Sequence, residues 1–287
     1  LTFCLAQAVE ECSPTDVDFP NTMFTGNKSI EYSLNDGVFR TVSCSGNGWN
    51  MSNLFNAINN DHGQRIVLIG WGNYAAFQLI ELVNHLHLMG VDENGTQPQW
   101  FTLDLLTCTS EECHQLAQRI AAHFSRLDGV LHNAGLLGDI CPMSEQNPQV
   151  WQDVMQVNVN ATFMLTQALL PLLLKSDAGS LVFTSSSVGR QGRANWGAYA
   201  TSKFATEGMM QVLADEYQNR HLRVNCINPG GTRTGMRASA FPTEDPQKLK
   251  TPADIMPLYL WLMGDDSRRK TGMTFDAQPG RKPGIAQ

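Results

Sequence analysis

Ser180-Leu181-Val182-Phe183-Thr184-Ser185-Ser186, followed at residue 199 by Tyr199-Ala200-Thr201-Ser202-Lys203, is the stretch that decides the fold. An apolar run of strand length ends in hydroxyls, and a helical pattern over residues 196–219 comes next. Tyr199 and Lys203 stand four residues apart, on one face of that helix. A Lys held beside a Tyr favours the phenolate, so the phenol's pKa of about 10 is drawn towards neutrality. A phenol tuned in that way exchanges a proton with an alcohol or carbonyl oxygen. The spacing alone fits an ordinary helix surface pair contributing about 0.2–0.5 kcal/mol, so the surroundings decide.

Outward from this stretch, strands and helices alternate. Residues 99–103 read as a strand and 110–124 as an amphipathic helix. Gly129–His132 is a short buried strand, and residues 147–175 form a long helical stretch bent around Pro171. Leu222–Asn228 is a strand, residues 251–263 a helix with a Thr cap and Pro252 in its first turn, and Met273–Asp276 a closing strand. This alternation predicts an α/β fold: one doubly wound Rossmann-type parallel sheet with helices on both faces, in a single catalytic domain. Ligands of such sheets bind at the carboxyl ends of the strands. There the chain offers Asp104, Asn133-Ala134-Gly135, Ser186 and Pro229-Gly230. Each taken singly is ordinary turn chemistry.

The 287 residues suffice for a large core, and the net charge of −7 argues against a nucleic-acid surface. The longest apolar run, 168–174, is too short to span a membrane and is interrupted by Pro171. Seven Cys without metal-ligand spacing read as reduced thiols of a cytoplasmic protein that binds no metal. Composition shifts near residue 100. The first 100 residues hold 3 Lys+Arg against 10 Asp+Glu, and the remainder 17 of each. Residues 1–64 show little periodicity; only 37–43 looks like a short strand. The expected division is therefore an N-terminal segment, 1–64, of uncertain origin and a Rossmann-type domain, 65–287.

These strand-end residues, in this order, resemble the short-chain dehydrogenase/reductase family over about residues 97–287. The matching residues are Asp104-Leu105, His132-Asn133-Ala134-Gly135, Asn158 between Val157 and Val159, Ser185-Ser186 with Gly189, Tyr199-x-x-x-Lys203, and Pro229-Gly230 with Thr234. The resemblance implies an NAD(P)-dependent oxidoreductase acting on a carbonyl or secondary alcohol. Tyr199 would be its acid and base, Ser186 would hold the substrate oxygen, Lys203 would bind the nicotinamide ribose and lower the phenol's pKa, and Asn158 would anchor a relay water. Asn133, Gly135, Asp104 and Leu105 would meet the cofactor, with Pro229, Gly230 and Thr234 on the nicotinamide side. The cofactor is NAD or NADP, with NADP slightly favoured by the resemblance. A homodimer or homotetramer, pairing the helices that carry Asn158 and Tyr199, is implied on the same ground. Loops 136–149 and 231–250 are expected to flank the pocket. Met236 and Phe241 would form an apolar lid, with Arg233 and Arg237 either solvated or facing an anionic substrate.

The family's Thr-Gly-x-x-x-Gly-x-Gly turn has no counterpart. The nearest candidate is Gly70-Trp71-Gly72-Asn73-Tyr74-Ala75 after a strand from Arg65, which makes Gly70 the expected phosphate-side residue. A second strand at residues 86–90 would leave only about eight residues before the strand at 99, too few for a parallel crossover. Either residues 1–96 are a divergent half that completes the sheet, or unrelated sequence replaces the family's usual start. If the phosphates cannot be held, the alternative is a non-catalytic binding or scaffolding protein on the same fold. A hydrolase using Ser186 lacks the Gly-x-Ser-x-Gly elbow.

Overall fold

The computed structural model describes residues 2–6, 28–33, 39–44, 66–71 and 99–280. The strands are β1 (Thr2–Ala6), β2 (Lys28–Ser33), β3 (Phe39–Cys44), β4 (Ile66–Trp71), β5 (Gln99–Thr102), β6 (Gly129–His132), β7 (Gly179–Thr184), β8 (Leu222–Asn228) and β9 (Met273–Asp276). Seven of them form one sheet in the order β5-β1-β4-β6-β7-β8-β9, every neighbouring pair parallel. β2 and β3 pair antiparallel in a separate ribbon, with β3 where a strand was expected. β1 lies between β4 and β5, the position for which the local sequence left no room. A parallel neighbour must come from further off in the chain, and here it comes from before β2. Residues 86–90, which stand too close to the strand at 99 to be its parallel neighbour, and the turn after Trp71 lie outside the described residues.

The helices are α1 (Ser110–His123), α2 (Pro148–Met155), α3 (Thr162–Leu173), α4 (Gly197–Glu216), α5 (Gly235–Ala240) and α6 (Pro252–Met263). Two start with reciprocal caps: Thr109 with Glu112 on α1, and Thr251 with Asp254 on α6. Side chains alternate across β7. Leu181 and Phe183 join Val130, Val224 and Cys226 in the core cluster shared with α1, α3 and α4. Ser180 faces the other way and donates to Leu262 O of α6 at 2.7 Å. Buried Arg223 also sits on that face, donating to Met263 O at 3.1 Å and Gly264 O at 2.7 Å. These are carbonyls that the end of α6 leaves without helical partners. With both faces covered, β6 and β8 are buried along their whole length.

The expected bend at Pro171 is not where the long helix breaks. Pro171 lies in the last turn of α3, and the helix continues through it to Leu173. The break is a π segment, Gln156–Ala161, between α2 and α3. The extra residue in its turn brings Asn158 inward, 2% exposed.

Candidate active site

β7 ends at Thr184, and extended backbone carries the next two side chains to opposite sides. Ser185 points into the core and donates to Glu207 Oε1 at 2.6 Å. Ser186 caps the 3₁₀ turn Ser187–Gly189 and hydrogen-bonds the Tyr199 phenol. A side-chain carbon on Gly189 would lie 2.8 Å from Lys203 O. The absence of one lets this turn rest directly on α4, which is why Ser186 reaches Tyr199.

Tyr199 and Lys203 are both buried on α4. Lys203 Nζ donates to Thr184 O at 2.8 Å and stands 5.5 Å from the centre of the Tyr199 ring. Asn158 accepts from Leu136 N at 2.7 Å, and donates to Leu136 O and to Ser202 Oγ, both at 2.9 Å. Its amide thereby clamps the loop after β6 to α4. A side-chain carbon at Gly135 would lie 3.5 Å from Asn158 Oδ1 and 3.6 Å from Lys203 Nζ, so Gly135, Asn158 and Lys203 converge on one point. Asn133 accepts from Thr184 Oγ1 at 2.8 Å, tying the end of β6 to β7. Gly70, in β4, lies one step past the Ile69–His132 pair and so beside Asn133 in the register.

The remaining expected residues are more scattered. Asp104 caps its own turn, accepting from Leu106 N at 2.9 Å, and the Leu105 side chain is in the core. Gly230 has φ +71°, a left-handed conformation favouring glycine. Gln278 Nε2 locks its turn by donating to Pro229 O at 2.9 Å and Gly231 O at 3.0 Å. Thr234 caps α5 through Arg237 N. A cleft of about 710 Å³ beside this turn is lined by Arg233, Leu249, Thr251, Asp254 and Gln278.

The loop side of Tyr199 is apolar. Trp196, Val188, Ala240 and Phe241 form a buried cluster with Tyr199, joined by Leu137 and Ile140. Phe241 thus packs against the Tyr199 cluster from the 231–250 loop, while Met236 is exposed. Arg237 is neither solvated nor free for an anion. It forms a two-pronged ion pair with Glu244, at 2.6 and 2.8 Å, and lies over the Phe241 ring. Arg233 donates to Pro246 O at 2.8 Å, which holds the loop after α5.

The electrostatics correct one expectation. Burial pushes the Tyr199 phenol up to about 12, partly offset by the Ser186 hydrogen bond. Burial also lowers Lys203 to about 8, against the attraction of neighbouring groups that include Glu207. Removing water penalises the phenolate more than Lys203, which lies over the ring 5.5 Å from its centre, favours it. The protonated phenol is therefore the resident form at neutral pH. Neighbouring His132, pushed down to about 3 by burial, stays neutral; it bonds Thr166 at 2.9 Å and stacks on Phe183.

Glu207 was missed in the sequence, although it repeats the Tyr199–Lys203 spacing by one more turn. Its carboxylate accepts from both Ser185 and Thr274. Gln278 gave no signal, because its partners are almost fifty residues away. Among the described residues, no cluster of His, Cys, Asp or Glu suits a metal, and no helix is long and apolar enough to cross a membrane.

A family model for short chain dehydrogenases matches residues 82–245, and the chain belongs to that family of nicotinamide-dependent oxidoreductases. The uncharacterized oxidoreductase YciK of Escherichia coli K12 is 82% identical over 226 residues, covering 79% of this chain and 86% of that protein. A crystal structure of a Shigella flexneri short chain dehydrogenase complexed with NADP is 82% identical, with a TM-score of 0.67 over 74% of this chain and 86% of that one. A Pseudomonas syringae short chain dehydrogenase structure is 43% identical, with a TM-score of 0.69 over 87% of this chain and 99% of that one.

Proposed function

We propose that this chain interconverts a carbonyl and a secondary alcohol with NADP in preference to NAD, through Tyr199, Ser186, Lys203 and Asn158. One observation carries this reading: Ser186, Tyr199, Lys203, Asn158 and Gly135 meet at the ends of β6 and β7. The NADP preference rests on the complexed Shigella relative.

The residues fit a nicotinamide cofactor. Lys203 has three donor hydrogens, and Thr184 O takes one of them beside the open position at Gly135, which leaves donors for ribose hydroxyls. Asn133 and Gly135 stand on that side, with Pro229, Gly230 and Thr234 assigned to the nicotinamide end, Asp104 and Leu105 to the adenine end, and Gly70 to the phosphates. When bound, the nicotinamide supplies or accepts the hydride. Ser186 orients the substrate oxygen, and Tyr199, protonated at neutral pH, gives it a proton in the reducing direction. Lys203 then returns a proton towards Tyr199. Asn158 acts by holding the Leu136 turn and Ser202 in place. Both hydrogens of its amide are engaged there, while Oδ1 keeps a second lone pair that can hold a relay water.

A non-catalytic binding role is not favoured, because a scaffold has no use for a buried Lys203 beside a buried Tyr199. Fluorescence titration with NADPH and NADH tests the reading: saturable binding, tighter for NADPH, is expected, and binding of neither would overturn it. The chain is further proposed to act in the cytoplasm, in keeping with Cys108, Cys113, Cys141 and Cys226, which form no disulfide among the described residues. A homodimer or homotetramer is supported by exposed Phe163 on α3, and by exposed Phe204 and Val212 on α4.

A further inference from the structure

Trp196 is 8% exposed, and its indole Nε1 is fully buried with no hydrogen-bond partner among the described residues. Buried N–H groups are nearly always paired, because leaving water without a new acceptor is costly. An orphaned donor beside a reacting group points to a ligand.

The indole is held firmly in that position. Asn195 adopts φ +72°, a left-handed conformation that asparagine tolerates better than most residues, and so turns the chain into Trp196. Trp196 bridges to Cys141 in strand fashion, and Cys141 N donates to Asn195 O at 3.1 Å. Gln146 braces both segments, donating to Cys141 O at 3.1 Å and accepting from Ala198 N. The Trp196 ring centre is 5.8 Å from that of Tyr199 and 5.8 Å from that of Phe241. Leu137, Ile140 and Val188 complete an apolar surround in which the indole N–H has no acceptor among the described residues.

We propose that Trp196 is a specificity-determining residue whose indole N–H donates to a second, neutral acceptor oxygen of the substrate, near the carbonyl held by Tyr199 and Ser186. The substrate class is then an uncharged, largely apolar ketone with an additional carbonyl or ester oxygen close to the reducible one. Arg237, already paired with Glu244, offers no free charge to an anionic group on this wall. The inference rests on the proposed carbonyl reduction at Tyr199.

The test compares 1-phenyl-1,2-propanedione with propiophenone, which lacks the second oxygen. Trp196→Phe keeps an aromatic ring and removes the donor. With NADPH, it is expected to lower kcat/KM for the diketone about five- to tenfold and to leave that for propiophenone within about twofold. Equal effects on both ketones overturn the proposal. The independent readout is the indole N–H resonance of Trp196, identified by its loss in Trp196→Phe. It is expected to move downfield when the diketone is added to the NADP⁺-bound protein, and to stay in place with propiophenone. An unmoved resonance overturns the proposal. A moved resonance without turnover of either ketone keeps the Trp196 site and removes the carbonyl-reduction reading.

Discussion

On the α4 side of Tyr199, the polar groups are matched inside the protein: Lys203 with Thr184, Asn158 with Leu136 and Ser202, Glu207 with Ser185 and Thr274. On the loop side stand Trp196, Phe241, Leu137 and Ile140, an apolar wall with one unmatched donor. In the proposed reaction the first surface, matched before any substrate arrives, serves the proton, and the second, left incomplete, serves the choice of substrate. A reaction shared by a whole family needs a fixed proton path, whereas selectivity needs a surface that only the right partner completes.

Removing the phenol breaks the matched side most severely. Tyr199→Phe is expected to cut turnover about 10²–10⁴-fold while NADPH binding stays close to that of the parent protein. Retained turnover, measured by NADPH oxidation, would remove Tyr199 from its role. Asn158→Ala removes three hydrogen bonds, the one to Ser202 fully buried, and leaves Leu136 N without its acceptor. A stability loss of about 1–3 kcal/mol in urea unfolding is expected. An unchanged midpoint would show that the clamp contributes nothing.

The pH profile sharpens the comparison without a mutation. Lys203, lowered to about 8, loses its charge as pH rises through that value, while Tyr199, raised to about 12, keeps its proton. The rate of ketone reduction should therefore be flat near neutrality and fall above about pH 8. A profile flat to pH 10 would exclude a charged Lys203 from the rate-determining form. The sign for stability is opposite. The unfolded lysine holds its proton up to about 10.5, so the unfolded state binds more protons between the two values, and stability rises with pH across that window.

The smallest effect is expected on the apolar wall. Phe241→Leu loses the ring contacts to Trp196 and Arg237, worth about 0.5–1.5 kcal/mol. It should raise KM for an apolar ketone more than it lowers kcat. A fall confined to kcat would mean that Phe241 supports the proton path instead.

Much of this was legible in the residues. The alternation of strands and helices from residue 99, the strand ends at Asn133, Ser186 and Pro229, and the Tyr199–Lys203 spacing are local patterns. Local backbone geometry turns each into structure with little help from afar. The residues alone therefore pointed to the parallel sheet, to the edge where the strand-end groups collect, and to the tyrosine proposed as proton donor. What it left open depends on distance in the chain. β1 fills the gap between β4 and β5 from a remote segment, and Gln278 locks the Pro229 turn from almost fifty residues away. The helix breaks in a π turn at Asn158 instead of at Pro171, because its contacts with Leu136 and Ser202 draw that residue inward. The ionisation of the site is likewise tertiary. A Tyr–Lys spacing predicts a lowered phenol, yet burial raises it, since the cost of removing a charge from water depends on everything packed around the site and not on the neighbour four residues along.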